Sequence, residues 1–276
     1  MSILTQDSFI WSCRPRMKIF VKNRDDQKVC VVVEGSAASA DVEHKKVAFV
    51  MHGLSGNKEE YHIRAIAEAF LEDACYTVVT FDATNTFGES DGTYEDATVT
   101  NYFADLEDVV AWSSEQSWYN EPFIVAGHSL GGMSAALFAE KYPYKVKALA
   151  PISTVVSGTL SVERMASAEQ LEKWQQDKIR VTISGDGKRE KRLKWTFIED
   201  MLTYDLLPDA HKLTMPVLMV VGDNDSSTPL SQQQLLFEKL PFPKELHIIK
   251  GAQHSFYQLN EQKELKSLVK TWIANI

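Results

Sequence analysis

The most restrictive stretch of the chain is Phe123-Ile124-Val125-Ala126-Gly127-His128-Ser129-Leu130-Gly131-Gly132. An apolar run leading into G-x-S-x-G predicts a buried strand, a one-residue turn, and a helix from Leu130 to about Lys141. The serine of such a turn sits in a strained backbone conformation. The helix folds back so tightly that the positions two before and two after it must lack side chains. The hydroxyl then stands clear of the backbone at the carboxyl end of a sheet. The NH of Leu130 points to where an oxyanion would form. Three fixed positions in five occur by chance, so the flanks carry the weight. After the motif, Met133-Ser134-Ala135-Ala136-Leu137-Phe138-Ala139 supplies the small residues that close helix-on-sheet packing needs.

The rest of the chain repeats the alternation of strand and helix. Residues 7–34 read as N-terminal β structure, with short strands at Met17–Val21 and Lys28–Val33. The polar run Asn23 to Gln27 between them reads as a hairpin loop, and Gly35 to His44 as an exposed loop. Val47–Met51 is a continuous apolar strand, as expected where both faces are covered. A helix follows from about His62 to Asp73. Then come a strand at Thr77–Asp82, a polar loop to Asp96, a helix from Val99 to about Ser117, and a strand at Lys145–Ile152. The pattern resumes at Met215–Gly222, with a helix over 230–240, a last strand at Glu245–Ile249 and a closing amphipathic helix from Glu261 to Ala274. This predicts a mainly parallel central sheet flanked by helices.

The rhythm breaks at about Ser153. Residues 153–213 carry a helical pattern over Val162–Gln175, a strand at Ile179–Ile183 and a turn signal around Asp186-Gly187 that suggests a hairpin. We read 153–213 as a cap inserted into a core made of 1–152 and 214–276. The basic run Lys188-Arg189-Glu190-Lys191-Arg192 is most simply a solvated turn, with binding of acidic substrates as the sharper alternative.

A serine hydroxyl needs a neighbouring base, and an imidazole base needs a carboxylate to fix its tautomer. Those groups must lie on loops at the same sheet edge as Ser129. The penultimate strand ends at Asp223 and Asp225, and the last is followed by His254. Either aspartate fits the acid role, the other bracing its loop. The loop His52-Gly53-Leu54-Ser55-Gly56 follows a central strand, and the NH of Leu54 is the second candidate oxyanion donor. His52 is read as bracing that loop and His128 as packing beside the turn. Trp174, Trp195, Phe197 and Met165 are candidates to line a pocket under the cap, with packing inside the cap as the plainer role of each.

Composition narrows the partners. The net charge of −9 argues against nucleic acid or an anionic membrane as the main partner, since both favour a basic face. No apolar run approaches 18 residues, so no membrane span is expected. Met1 to Asp7 has neither a basic nor an apolar leader region, so no signal peptide is evident and a cytoplasmic location is the default. The three cysteines, Cys13, Cys30 and Cys75, read as free thiols. No group of His, Cys and carboxylates has metal-ligand spacing, so neither metal nor cofactor is expected. A homodimer is possible.

These motifs together resemble the α/β-hydrolase fold. Within it the chain is similar to bacterial esterases of the cinnamoyl/feruloyl kind and to serine aminopeptidase-like and monoacylglycerol-lipase-like hydrolases. The resemblance covers residues 20–274. It rests on His52-Gly53-Leu54-Ser55-Gly56-Asn57-Lys58-Glu59-Glu60 as oxyanion loop and on Gly127-His128-Ser129-Leu130-Gly131-Gly132 as nucleophile elbow. It rests also on Gly222-Asp223-Asn224-Asp225 with Thr228-Pro229 as acid loop and Gly251-Ala252-Gln253-His254 as histidine loop. In that family the carboxylate three residues after the glycine is catalytic, which selects Asp225. The resemblance implies a Ser129–His254–Asp225 triad, hydrolysing a small-molecule ester of a short or aromatic acyl group. Peptidase, amidase and acyltransferase activity on the same triad, and a non-catalytic binding protein, are the rivals. The chain departs from the family's D-x-x-G-x-G-x-S: Asp82-Ala83-Thr84-Asn85-Thr86-Phe87-Gly88-Glu89-Ser90 has one extra residue and lacks the first glycine. Asn85 is the candidate to supply the left-handed conformation there.

Overall fold

The computed structural model describes residues 16–35, 46–73, 75–184 and 187–276. Cys13, part of the expected N-terminal β region, most of the 35–44 loop, and Asp186 of the hairpin turn lie outside them. The sheet runs edge to edge as β1 (Arg16–Lys22), β2 (Lys28–Gly35), β4 (Tyr76–Phe81), β3 (Lys46–Met51), β5 (Phe123–His128), β6 (Val146–Ile152), β9 (Val217–Gly222) and β10 (Lys244–Ile249). β2 pairs antiparallel with both β1 and β4, and all other pairs are parallel. The fold is therefore α/β, with β5 near the middle of a mainly parallel sheet.

Alternate residues of the central strands face opposite sides, as the two-residue repeat of a strand requires. Val47, Phe49 and Met51 of β3 pack with Tyr102, Leu106 and Val109 of α2 (Val99–Ser113) and with Met133 and Ala136 of α3 (Leu130–Lys141). Ala48 and Val50 point the other way. They join Ile63, Ile66 and Phe70 of α1 (Tyr61–Leu71) and Leu265, Val269 and Trp272 of α8 (Leu259–Ile273). Covering both faces explains why these strands read as unbroken apolar runs. Among the described residues, no helix is long and apolar enough to cross a membrane.

The segment between β6 and β9 holds α4 (Gly158–Met165), α5 (Ala168–Asp177), the antiparallel hairpin β7 (Ile179–Ile183) and β8 (Glu190–Lys194), and α6 (Thr196–Met201). α7 (Leu230–Lys239) follows β9. The helical pattern read over Val162–Gln175 is divided between two helices. Ser167 starts the second: its hydroxyl accepts from the Gln170 NH at 3.3 Å while the Gln170 side chain accepts from the Ser167 NH at 3.0 Å. That reciprocal cap satisfies donors that a continuous helix would have used internally. α2 stops at Ser113, short of Ser117, and the Ser114 hydroxyl bonds the Ala111 carbonyl at 2.6 Å in competition with the helix ladder. Val162, Trp174, Leu193, Phe197 and Ile198 join the same apolar cluster as β3 and α3.

Candidate active site

Ser129 occupies the one-residue turn between β5 and α3 with φ 55° and ψ −117°, a conformation costly for any residue with a side chain. The glycines explain how the turn closes. A Cβ on Gly127 would lie 2.2 Å from the Gly131 carbonyl oxygen, and one on Gly131 would lie 2.3 Å from that of His52. Gly53 is needed for the same reason, since its Cβ would come within 2.9 Å of the Ser129 Cβ. The turn is clamped from β6: the Ser129 NH donates to Ile152 O at 3.0 Å, and Ser129 O accepts from the Val155 NH at 3.2 Å.

The structure brings Ser129, His254 and Asp225 into one hydrogen-bonded line. Ser129 Oγ lies 3.0 Å from His254 Nε2, and His254 Nδ1 lies 2.9 Å from Asp225 Oδ2. An ionised carboxylate only accepts, so Nδ1 carries the proton and Nε2 is left to accept from the serine. Asp225 is buried. Burial pushes its carboxyl up, but the bond and charge of His254 and the donors of Thr228 more than reverse this, so it is held below the usual carboxylate range. Those donors are the Thr228 NH and hydroxyl, each at 2.9 Å. Asp223 does the bracing job: its Oδ1 accepts from the Gly251 NH at 2.6 Å and ties the acid loop to the histidine loop.

Leu54 and Leu130 both line the cavity in front of Ser129. Leu130 is the first residue of α3, so its NH has no acceptor within the helix. His52 braces the loop before Leu54: its Nε2 accepts from the Ala83 NH at 3.0 Å, and its Nδ1 faces Gly53 O at 2.8 Å. Burial holds this imidazole, and those of His62 and His128, in the neutral form; His62 is pushed down to about 3. His128 reaches the His254 carbonyl with Nε2 at 2.8 Å, so it anchors the histidine loop from beside the elbow.

Sequence reasoning quoted Lys58 and Asp82 within loop motifs but gave neither a role. The Lys58 ammonium lies 2.7 Å from Asp82 Oδ2 and 2.9 Å from Glu89 Oε1, with Lys58 and Asp82 fully buried. Burial pulls the ammonium down, and its hydrogen bonds to Asp82 and Glu89 more than reverse that. The pair fastens the oxyanion loop to the loop after β4. Asn85 in that loop has φ 58°, the left-handed conformation that the missing glycine would have supplied. Among the described residues, Cys30, Asp82 and Glu89 form a set of possible metal ligands within 4.8 Å of one another that sequence spacing does not show. The Lys58 ammonium, bonded to both carboxylates, fills the position a cation would take.

The cavity over Ser129 measures about 1420 Å³. Met165 and Phe197 line it, the sharper of the two roles read for them, and Phe197 also packs in the main apolar cluster. Trp174 and Trp195 do not. Trp174 is buried with its Nε1 donating to Leu193 O at 2.9 Å, and the two indoles pack edge to face at 6.0 Å. Trp195 opens instead on a separate small recess beside α6. An indole with its NH satisfied inside the segment has no reason to turn toward the site. The basic run is also corrected: Lys188, Arg189 and Lys191 are not only a solvated turn but face the cavity, joined there by Arg164 and Arg180. Glu60, likewise not singled out from sequence, lines the wall beside them, and burial pushes its carboxyl up to about 7.

Comparison with known proteins agrees with this geometry. A family model described as the alpha/beta hydrolase fold matches residues 49–182. Among solved structures, the esterase Est1E of Butyrivibrio proteoclasticus, with ferulic acid bound, superposes with a TM-score of 0.74 over 93% of this chain and 98% of its own, at 23% identity. The mouse alpha/beta hydrolase domain-containing protein 10 gives 0.76 over 94% and 99% at 19% identity. In sequence that mouse protein, the mitochondrial palmitoyl-protein thioesterase ABHD10, is 25% identical over 218 residues, 76% of this chain and 68% of its own. A thiohydrolase of Eupenicillium brefeldianum is 50% identical over 38 residues, which span 14% of this chain and 12% of that protein. By strand order, by the clamped turn that carries Ser129, and by the matching family model, the chain has the α/β-hydrolase fold.

Proposed function

We propose that the chain is a serine hydrolase that cleaves carboxylic esters or thioesters through an acyl-enzyme. The observation that carries this reading is the line Ser129 Oγ–His254 Nε2–Asp225 Oδ2, with both distances within hydrogen-bond reach at the mouth of one large cavity. Ser129 Oγ attacks the acyl carbonyl as His254 Nε2 takes its proton. Asp225 keeps His254 in the required tautomer and steadies the imidazolium. The NH groups of Leu54 and Leu130 receive the oxyanion of the tetrahedral intermediate. His254 then returns the proton to the leaving alcohol or thiol, and a water activated by His254 releases the acyl group. Residues 153–213 act as a cap that shapes the pocket. The names of the mouse and fungal relatives support thioesters within this chemistry, and the ferulic acid complex supports short aromatic acyl groups.

The test is hydrolysis of nitrophenyl esters from acetyl to dodecanoyl, methyl ferulate, an acyl thioester and an aminoacyl nitroanilide, each with Ser129→Ala as control. Ester or thioester turnover is expected, with a loss of about 10³-fold or more in the variant. Cleavage of the anilide alone would replace the esterase reading with a peptidase. No turnover, together with no labelling of Ser129 by a fluorophosphonate, would remove the catalytic reading.

A further inference from the structure

Resting on that reading, we infer that the cavity takes acyl substrates bearing a negatively charged group, a carboxylate or a phosphate, held beneath the β7–β8 hairpin. Five cationic side chains line it: Arg164 from α4, Arg180 from β7, Lys188 and Arg189 from the hairpin's connection, and Lys191 from β8. The only carboxyl group among the described lining residues is Glu60. The contrast with the molecule is large, since the whole chain carries a net charge of −9. An acidic protein that sets five cations and one carboxyl group around one cleft directs a positive field there. Like charges crowded against a partly enclosed wall repel one another, and a bound anion relieves that repulsion.

The cations are placed, not merely near. Lys191 Nζ lies 2.9 Å from Ser55 Oγ, in the residue next to Leu54, so its charge sits over the oxyanion loop. Arg164 Nε donates to Ser226 O at 2.8 Å, which puts a second charge beside the loop that carries Asp225. Arg180 donates to Met165 O at 2.9 Å and lies over the Trp174 ring. Arg189 lies 4.4 Å above the centre of the Phe87 ring. Arg164 and Arg180 each give one N–H to a backbone carbonyl. A guanidinium has five donors in a fork that matches a carboxylate or a phosphate. Glu60, whose carboxyl burial pushes up to about 7, is only partly ionised near neutral pH and offsets at most one of the five charges. A pocket built for a neutral aromatic or alkyl ester would have no use for this lining.

The experiment compares matched pairs at low salt and at 0.5 M NaCl. One arm puts the charge on the acyl group: the nitrophenyl half-ester of glutarate against that of 5-methylhexanoate, its neutral isostere. The other puts it on the leaving group: butyryl-coenzyme A against butyryl-N-acetylcysteamine. We expect kcat/KM to favour the charged member of at least one pair by about 10-fold at low salt and the ratio to fall several-fold with screening. Which arm responds tells a carboxylate from a phosphate. The double variant K188Q/R189Q, on the exposed hairpin, is expected to bring that ratio toward one. Ratios at or below one in both arms, or ratios indifferent to salt, would overturn the inference while leaving ester hydrolysis intact. If no substrate turns over, the hydrolase reading falls. Calorimetric titration of the protein with glutarate and with coenzyme A then decides the anion site alone: salt-sensitive binding of either sustains it, and binding of neither overturns it.

Discussion

Lys58 and Asp82 show how a single residue can hold a site that it does not enter. Asp82 is served from three directions: Oδ1 accepts from the Lys58 NH at 2.7 Å, and Oδ2 accepts from the Lys58 ammonium at 2.7 Å and from the Glu89 NH at 2.8 Å. Removing one partner of a buried ion pair strands the other, and the two partners here are not stranded equally. Asp82→Ala leaves a buried ammonium with Glu89 as its one carboxylate, beside the Cys30 thiol, and should cost about 3–5 kcal/mol in urea unfolding. Lys58→Met leaves a carboxylate that still has two backbone donors, and should cost less, about 2–3 kcal/mol. Equal losses, or a smaller loss for Asp82→Ala, would contradict this account of the pair.

At the scale of elements, the glycine that opens α4 sets how the cavity wall is built. A Cβ on Gly158 would lie 1.8 Å from Met201 O, at the last turn of α6. Gly158→Ala must therefore push α6 away, and with it Phe197 and Met201, which line the cavity. A loss of about 2–3 kcal/mol in stability is expected, with KM for bulky acyl groups moving more than for acetyl esters. The core elements were legible in the sequence because burial on both faces writes an unbroken apolar run, and β3, β5, β6 and β9 all carry one. The order of Ser129, Asp225 and His254 was legible too, since each follows a strand and must reach the same sheet edge. The segment after β6 was harder. Its Ser167-x-x-Gln170 cap was written in the chain, but a helical period runs through it without a Gly or Pro to mark the break. The inward turn of Lys191 and Arg180 has no sequence sign, because a half-exposed hairpin alternates its faces whichever way it lies. Lys58 and Asp82 lie 24 residues apart on two loops, and only the sheet brings them together.

For the whole molecule, the question is whether the segment over the site folds with the sheet or apart from it. Trp174, Leu193 and Phe197 share one apolar cluster with Phe49 and Met133, which predicts a single cooperative unit. Urea unfolding followed by tryptophan fluorescence and by far-ultraviolet circular dichroism should give coincident midpoints. Trp174 and Trp195 report from the segment, while Trp112, Trp118 and Trp272 report from the core. A separate early fluorescence transition would show the segment melting on its own. The backbone link from β6 into that segment gives this unity a second meaning. Ile152 and Val155 grip Ser129 on either side, and the Thr154 side chain packs against Gly132. The first few residues of the crossing are thus the foundation of the Ser129 turn, and the hairpin farther along makes no backbone hydrogen bond to it among the described residues. The exposed hairpin residues Lys188 to Glu190 can vary without disturbing that link. Ile152 to Val156 cannot be exchanged without moving Ser129 with them.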